Sequence, residues 1–241
     1  MEASATARRD LPHLALTVFA AVLLIALTPF GQQALKLLTS MSFGGAAWAD
    51  TAGPGLQQHL PPGSVSPFIL RTSDVADREQ AVTCLSEAIY YEAAFEPLDG
   101  QRAVAQVVVN RVRDPNFPNT VCGVVYQGWQ RKTGCQFTFA CDGSLRRRPP
   151  STEQLERVRP IAERALDGYV AVEVGTATHY HTDWVHPYWA PTLDRVAQVG
   201  DHVFYKWKGR AGQPEALKVA YDGGEAEAWS RIAPGLYSRY A

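Results

Sequence analysis

Glu92 stands where a residue able to do acid chemistry is out of place in an otherwise apolar pattern. Ala81, Leu85, Ala88 and Ile89 recur at helical spacing, and Glu92 continues that stripe by one more turn. A carboxylate there points where an apolar side chain is expected. Partial removal from water disfavours the charged form and raises the pKa, which suits a general acid working near neutral pH. The same placement also fits a helix that ends at Glu92 and frays into water, or a charge pair with Arg111. A scheme with two carboxylates needs a second group about 5 to 9.5 Å away. Glu96, Asp99, Asp142 and Asp183 are the candidates, and Glu96, beside Pro97, more commonly caps or pairs locally. His179, His181, His186 and His202 gather in one later region, and His-x-His on a strand puts both rings on one face. That pattern suits zinc, or hydrogen bonding to core or ligand.

The elements that must position these residues begin at Asp77, with Ser73 or Asp74 as cap, and the first helix ends before Pro97. A second helix follows in which Val104, Val107 and Val108 form the stripe, stopped by Asp114-Pro115, so the pair should pack as a hairpin. Asn119 can cap a short helix through Val125. Thr152 can cap a longer one lined by Leu155, Val158, Ala162, Ala165 and Leu166, ending at Gly168. Beyond Gly175 β-branched and aromatic residues dominate, and Val196 to Val199 with His202 to Trp207 flank Gly200-Asp201 as a β-hairpin. The fold class is α+β, mainly helical, with residues 76–209 as one domain and 210–241 as a tail or short appended helix.

Net charge is −1, which excludes a general affinity for nucleic acid. Residues 101–164 carry 11 Lys or Arg against 5 Asp or Glu, a local +6 that fits a solvated face or an anionic polymer. Leu11 to Phe30 is an uncharged run of about 20 residues, and at about 1.5 Å per residue that matches the ~30 Å hydrocarbon thickness of a bilayer. Arg8 and Arg9 precede it, which puts residues 1–10 in the cytoplasm and everything after residue 30 outside. Ala47-Trp48-Ala49 offers a signal-cleavage alternative, though far from the apolar run. Residues 31–75, rich in Gly, Pro, Ser and Gln, read as a linker. Cys84, Cys122, Cys135 and Cys141 lack zinc-site spacing and suit an oxidising compartment. Three pairings are open to them, and the expectation is Cys122 with Cys135 and Cys84 with Cys141.

The segment Glu87-Ala-Ile-Tyr-Tyr-Glu-Ala-Ala-Phe-Glu-Pro-Leu-Asp-Gly-Gln-Arg-Ala-Val-Ala-Gln-Val-Val-Val-Asn-Arg-Val resembles the signature of the SleB/CwlJ cell wall hydrolase family. Pro118-Asn-Thr-Val-Cys-Gly-Val-Val-Tyr, Cys135-Gln-Phe-Thr-Phe, His179-Tyr-His-Thr-Asp-Trp-Val-His-Pro-Tyr-Trp and Gly200-Asp-His-Val-Phe-Tyr resemble its later blocks in order. The resemblance covers roughly residues 78–209. It implies a lysozyme-like domain related to lytic transglycosylases that cleaves between N-acetylmuramic acid and N-acetylglucosamine, with no cofactor and no essential metal. The family's acid is the first Glu of a Glu-Ala-Arg-Gly-Glu motif. Glu92 holds that position and Glu96 the second, while Ala94-Phe95 replaces Arg-Gly.

With that substrate in view, Tyr91 and Asn110 are expected to orient Glu92. Gln136, Phe137 and Thr138, lying between two cysteines, would hydrogen-bond a sugar amide. Tyr180, Trp184, Tyr188 and Trp189 offer stacking faces, and His181 a further polar contact. The expected partners are peptidoglycan strands and, through the N-terminal helix, the inner membrane, with the catalytic domain in the periplasm. Rival readings are a hydrolytic muramidase, a non-catalytic murein-binding scaffold, and a zinc amidase built on the histidines.

Overall fold

The computed structural model describes residues 58–221 and 223–238. The Leu11 to Phe30 run lies outside them, and among the described residues no helix is long and apolar enough to cross a membrane. Helix α1 (Val75–Ala93) starts at Asp74, whose side chain accepts from the Ala76 amide. It buries Ala81, Val82, Leu85, Ala88 and Ile89 on one face. After Pro97 comes α2 (Leu98–Arg113), which is buried almost all round from Ala103 to Val112. Its small side chains let neighbours approach from both sides. Ala103 and Val107 meet Phe204 of the sheet, while Ala105, Val108, Val109 and Val112 join the main helical core.

Helix α3 (Val121–Val125) is capped by Thr120, not Asn119, because the Thr120 hydroxyl accepts from the Gly123 amide. A short α4 (Ser144–Arg147) leads to α5 (Thr152–Leu166). There the cap is Ser151 instead of Thr152, since Gln154 returns a bond to the Ser151 amide and completes a capping box. Helix α5 packs across α1 and α2.

Three antiparallel strands, β1 (His179–Thr182), β2 (Asp194–Val199) and β3 (His202–Lys206), run in the order β1-β3-β2. The expected hairpin is present, and His179 to Thr182 adds the third strand, with Tyr180 opposite Phe204 and Thr182 opposite His202. Central β3 is buried over four residues.

The domain is larger at both ends than the sequence suggested. Val65, Phe68 and Leu70, inside the expected linker, are buried, and the Leu70 amide bonds the Leu166 carbonyl at 2.8 Å. The expected tail contains α6 (Glu225–Ser238), which packs on α1 and α3. Its hold is reciprocal. Asp77 of α1 accepts from the amides of Gly224 (2.7 Å) and Ala226 (3.0 Å), while fully buried Glu225 accepts from the amides of Val121 (2.5 Å) and Cys122 (2.9 Å). Carboxylates at helix N-termini satisfy amides that have no partner within the helix.

The cysteines pair otherwise than expected, as Cys84–Cys122 and Cys135–Cys141. Packing explains this: α1 lies against α3 with the Cα atoms of Cys84 and Cys122 5.3 Å apart, and the chain between Cys135 and Cys141 turns back on itself through Thr138–Ala140.

Candidate active site

Glu92 lies in the last turn of α1, half-buried, and its Oε2 accepts a hydrogen bond from the Tyr180 hydroxyl at 2.9 Å. Burial raises its pKa above the usual carboxylate range. The Tyr180 bond and the Arg111 charge act in the opposite sense, while the charge of Asp142 adds to the rise. No basic residue occupies the last turn of α1, so the helix dipole also disfavours a negative charge there. The Tyr180 phenol is itself pushed well above its ordinary pKa by burial, so it stays a donor.

Arg111 is buried beneath this pair. Its Nε donates to the Thr178 carbonyl at 2.7 Å, and its guanidinium lies 5.2 Å from the Phe137 ring and 5.4 Å from the Phe117 ring. With its amide oxygen turned to the guanidinium, Gln136 accepts from both Nη atoms at 3.2 Å and donates to Gln127. Burial lowers the Arg111 pKa to about 10, so it remains charged at neutral pH. It forms no ion pair with Glu92 and acts on it through space.

The expected site residues divide. Tyr180 meets Glu92 directly, and Gln136 reaches it only through Arg111. Tyr91 stacks on Phe139 at 4.5 Å and donates to the Arg148 carbonyl, so it braces the loop after Cys135 and does not bond Glu92. Thr138 is exposed and opens the turn Thr138–Ala140, and Trp184 is exposed on the β1–β2 loop.

Three expectations are corrected. Asn110 is fully buried, with both N–H groups engaged by the carbonyls of Gly175 and Ala177 at 2.8 Å, and Gln106 bonds its oxygen. Phe137 is buried against Arg111 and offers no face to a ligand. His181 lies on the opposite face of the sheet from Tyr180, because successive strand residues alternate. There its ring stacks on Tyr205 and both its nitrogens are engaged, Nδ1 with the Thr182 carbonyl and Nε2 with the Tyr205 hydroxyl. His179 shares that face among Trp189 and Trp207, and burial lowers its pKa to about 4. Among the described residues, no three His, Cys, Asp or Glu side chains converge as metal ligands.

Glu96, beside Pro97, is a structural clasp. It accepts from the Asp201 amide through both oxygens at 3.2 and 3.3 Å. Gly200 has a φ of 59°, and a Cβ there would sit 1.7 Å from Glu96 Oε2, so any side chain at this turn would be strained and would displace the Glu96 carboxylate. His202 Nδ1 is 3.4 Å from Glu96 Oε1 without hydrogen-bond geometry, and its ring meets the Tyr180 edge at 5.0 Å. Glu96→Ala is therefore expected to destabilise the domain by about 0.5–1.5 kcal/mol through the lost bond to the exposed Asp201 amide. Cleavage per folded molecule should change little. A thermal melt beside a rate on matched folded protein checks it, and a large rate loss at unchanged stability would return Glu96 to the chemistry.

Sequence reasoning missed Glu87. It accepts a short hydrogen bond from buried Tyr126, and burial pushes its pKa up to about 7. Its place five residues before Glu92 puts it on another side of α1, off the stripe that drew notice.

A half-buried carboxyl at a helix end, bonded by a tyrosine and overlooked by a buried arginine, defines a site that holds a proton more tightly than a free carboxyl does. A family model described as Cell Wall Hydrolase matches residues 95–205, beginning three residues after Glu92. The spore cortex-lytic enzyme of Bacillus subtilis is 29% identical over 123 residues, 51% of this chain and 36% of that protein. That of Oceanobacillus iheyensis is 31% identical over 126 residues, 52% and 41%. The crystal structure of the catalytic domain of the Bacillus cereus SleB protein is 29% identical, covering 57% of this chain and 95% of that one at a TM-score of 0.45. The chain spans less than half the length of the curated relatives it matches. The folded part of this chain resembles the SleB-like cell wall hydrolases.

Proposed function

We propose that this protein cleaves peptidoglycan strands between N-acetylmuramic acid and N-acetylglucosamine as a lytic transglycosylase, with Glu92 as its single acid and base. The observation that carries this is the half-buried Glu92 carboxyl with Tyr180 donating to one of its oxygens. The other oxygen carries the proton. That proton passes to the glycosidic oxygen as the bond to the muramic C1 breaks, leaving an oxocarbenium-like sugar and a free N-acetylglucosamine hydroxyl. The Glu92 carboxylate, supported by Tyr180 and Arg111, then takes the proton of the muramic 6-hydroxyl as its oxygen bonds C1 and closes a 1,6-anhydro ring.

The hydrolytic alternative has one candidate for its second carboxylate, Asp142, whose charge bears on Glu92. Its Oδ1 already accepts from the Ser144 amide at 2.7 Å. Mass spectrometry of fragments released from sacculi separates the two: anhydro termini are expected, and reducing termini would mean that water attacks C1.

Tyr180→Phe tests the pair. Glu92 must be protonated to act, so the rate falls as pH rises through its pKa. Removing a donor that favours the carboxylate raises that pKa further, and the falling limb should move to higher pH. An unmoved limb would separate Tyr180 from the reacting group.

We further propose that the Leu11 to Phe30 run anchors the protein in the inner membrane, with the enzyme in the periplasm. The support is its length, its lack of charge and the preceding Arg8 and Arg9. Full-length protein should pellet with membranes, and recovery of a soluble form starting at Asp50 would favour cleavage instead.

A further inference from the structure

The connection between α1 and α2 carries a side chain that the proposed mechanism leaves unused. Phe95, three residues after Glu92, is fully exposed, yet its backbone is held firmly. The Ala94 amide bonds the Tyr90 carbonyl at 3.2 Å, the Glu96 amide bonds the Ala93 carbonyl at 3.0 Å, and the Glu96 carboxylate clasps the Asp201 amide. The ring therefore stands in water on a fixed support. The same Gly200-Asp201 turn reaches a second aromatic residue: the Asp201 carbonyl accepts from the Asp183 amide at 2.8 Å, and the next residue, Trp184, is 66% exposed.

We propose that Phe95 and Trp184 are the walls of a stacking subsite beside Glu92, with the Gly200-Asp201 turn between them, that takes an N-acetylated pyranose of a glycan strand. This rests on the glycan reading of the Glu92 site. Pyranose rings present C–H faces that pack on aromatic rings, while their rims carry hydroxyl and amide donors. The turn supplies matching acceptors in the exposed carboxylates of Asp183 and Asp201. Those charges, with Asp99 near Leu98, interrupt the apolar surface and disfavour an anionic membrane or a greasy protein face. Phe95 stands where the related signature carries Gly, so the wall is a feature of this chain.

Retention on insoluble murein sacculi of full-length protein carrying Glu92→Gln, which should bind without cutting, tests the subsite. Adding Phe95→Ala should weaken retention about two- to tenfold, and Trp184→Ala similarly, as expected for one aromatic stacking contact each. The melting temperature of Phe95→Ala should not move, because the ring is fully exposed. Phe95→Tyr should restore retention and Phe95→Leu should not. Unchanged retention by Phe95→Ala, or full rescue by Phe95→Leu, would overturn the stacking role, the latter in favour of a generic apolar contact. If the parent Glu92→Gln protein itself fails to bind sacculi, the glycan reading of the Glu92 site falls together with the subsite. Equal binding by parent and Phe95→Ala removes the subsite alone.

Discussion

Replacing Cys84 and Cys122 with alanine is expected to lower the melting temperature by on the order of 10 °C. The bridge closes a loop with a sequence separation of 38. Chain entropy assigns such a loop about 4 kcal/mol, and a domain of this size moves roughly 2–4 °C for each kcal/mol. The Cys135–Cys141 bridge, with a separation of 6, closes a far smaller loop worth about 2 kcal/mol, so its removal should cost about half as much. Both sulfurs of the first bridge are fully buried where α1 meets α3, and the Cys122 amide is one of the two that Glu225 accepts from. Loosening this junction should therefore also weaken the hold on α6. Thermal melts of the two double-alanine variants rank the bridges. Equal small shifts, or four free thiols in exported protein, would count against their structural role.

Most of the helical framework was legible because its signals are local. Asp74 before the Ala81, Leu85, Ala88 stripe and Pro97 after it bound α1 closely, and Asp114-Pro115 ends α2. Caps slipped by one residue, to Thr120 and Ser151, because Ser, Thr and Asn all cap well and only backbone geometry chooses among neighbours. What was not legible depends on contacts across the chain. Glu225 belongs to the domain through amides more than a hundred residues away, and no periodicity announces that. Disulfide pairing likewise follows from α1 packing on α3, which spacing does not encode.

In the site, Glu92 was visible because a carboxylate on an apolar stripe breaks a pattern. Its partner Tyr180 was one aromatic among several. Strand alternation could have removed His181 from Tyr180's company, since the same rule that places His179 and His181 together places Tyr180 opposite them. Asn110 and Phe137 misled because amides and rings serve cores as readily as ligands. Asn110 is buried because α2 is enclosed on nearly every side, which a helical stripe of three valines understates, and Phe137 because it packs on Arg111 of that helix.

Glu92→Gln should reduce glycan cleavage by at least 10²- to 10⁴-fold, the range usually credited to general acid catalysis. The amide keeps the volume and can still accept from the Tyr180 hydroxyl, but it has no proton to transfer. Folding should survive, and stability should hold or rise, because burial disfavours the charged carboxylate that the change removes. Arg111 keeps its bonds to Thr178 and Gln136, so no buried ion pair is broken. A structural charge pair would behave in the opposite way, with a lower melting temperature and intact activity in whatever remained folded. Sacculi incubated with matched folded amounts of full-length protein and of Glu92→Gln, with released muropeptides quantified, decide between them. The expected result is release by the former and essentially none by the latter at equal thermal stability, and equal release by a folded Glu92→Gln would contradict the assignment of Glu92 as the acid.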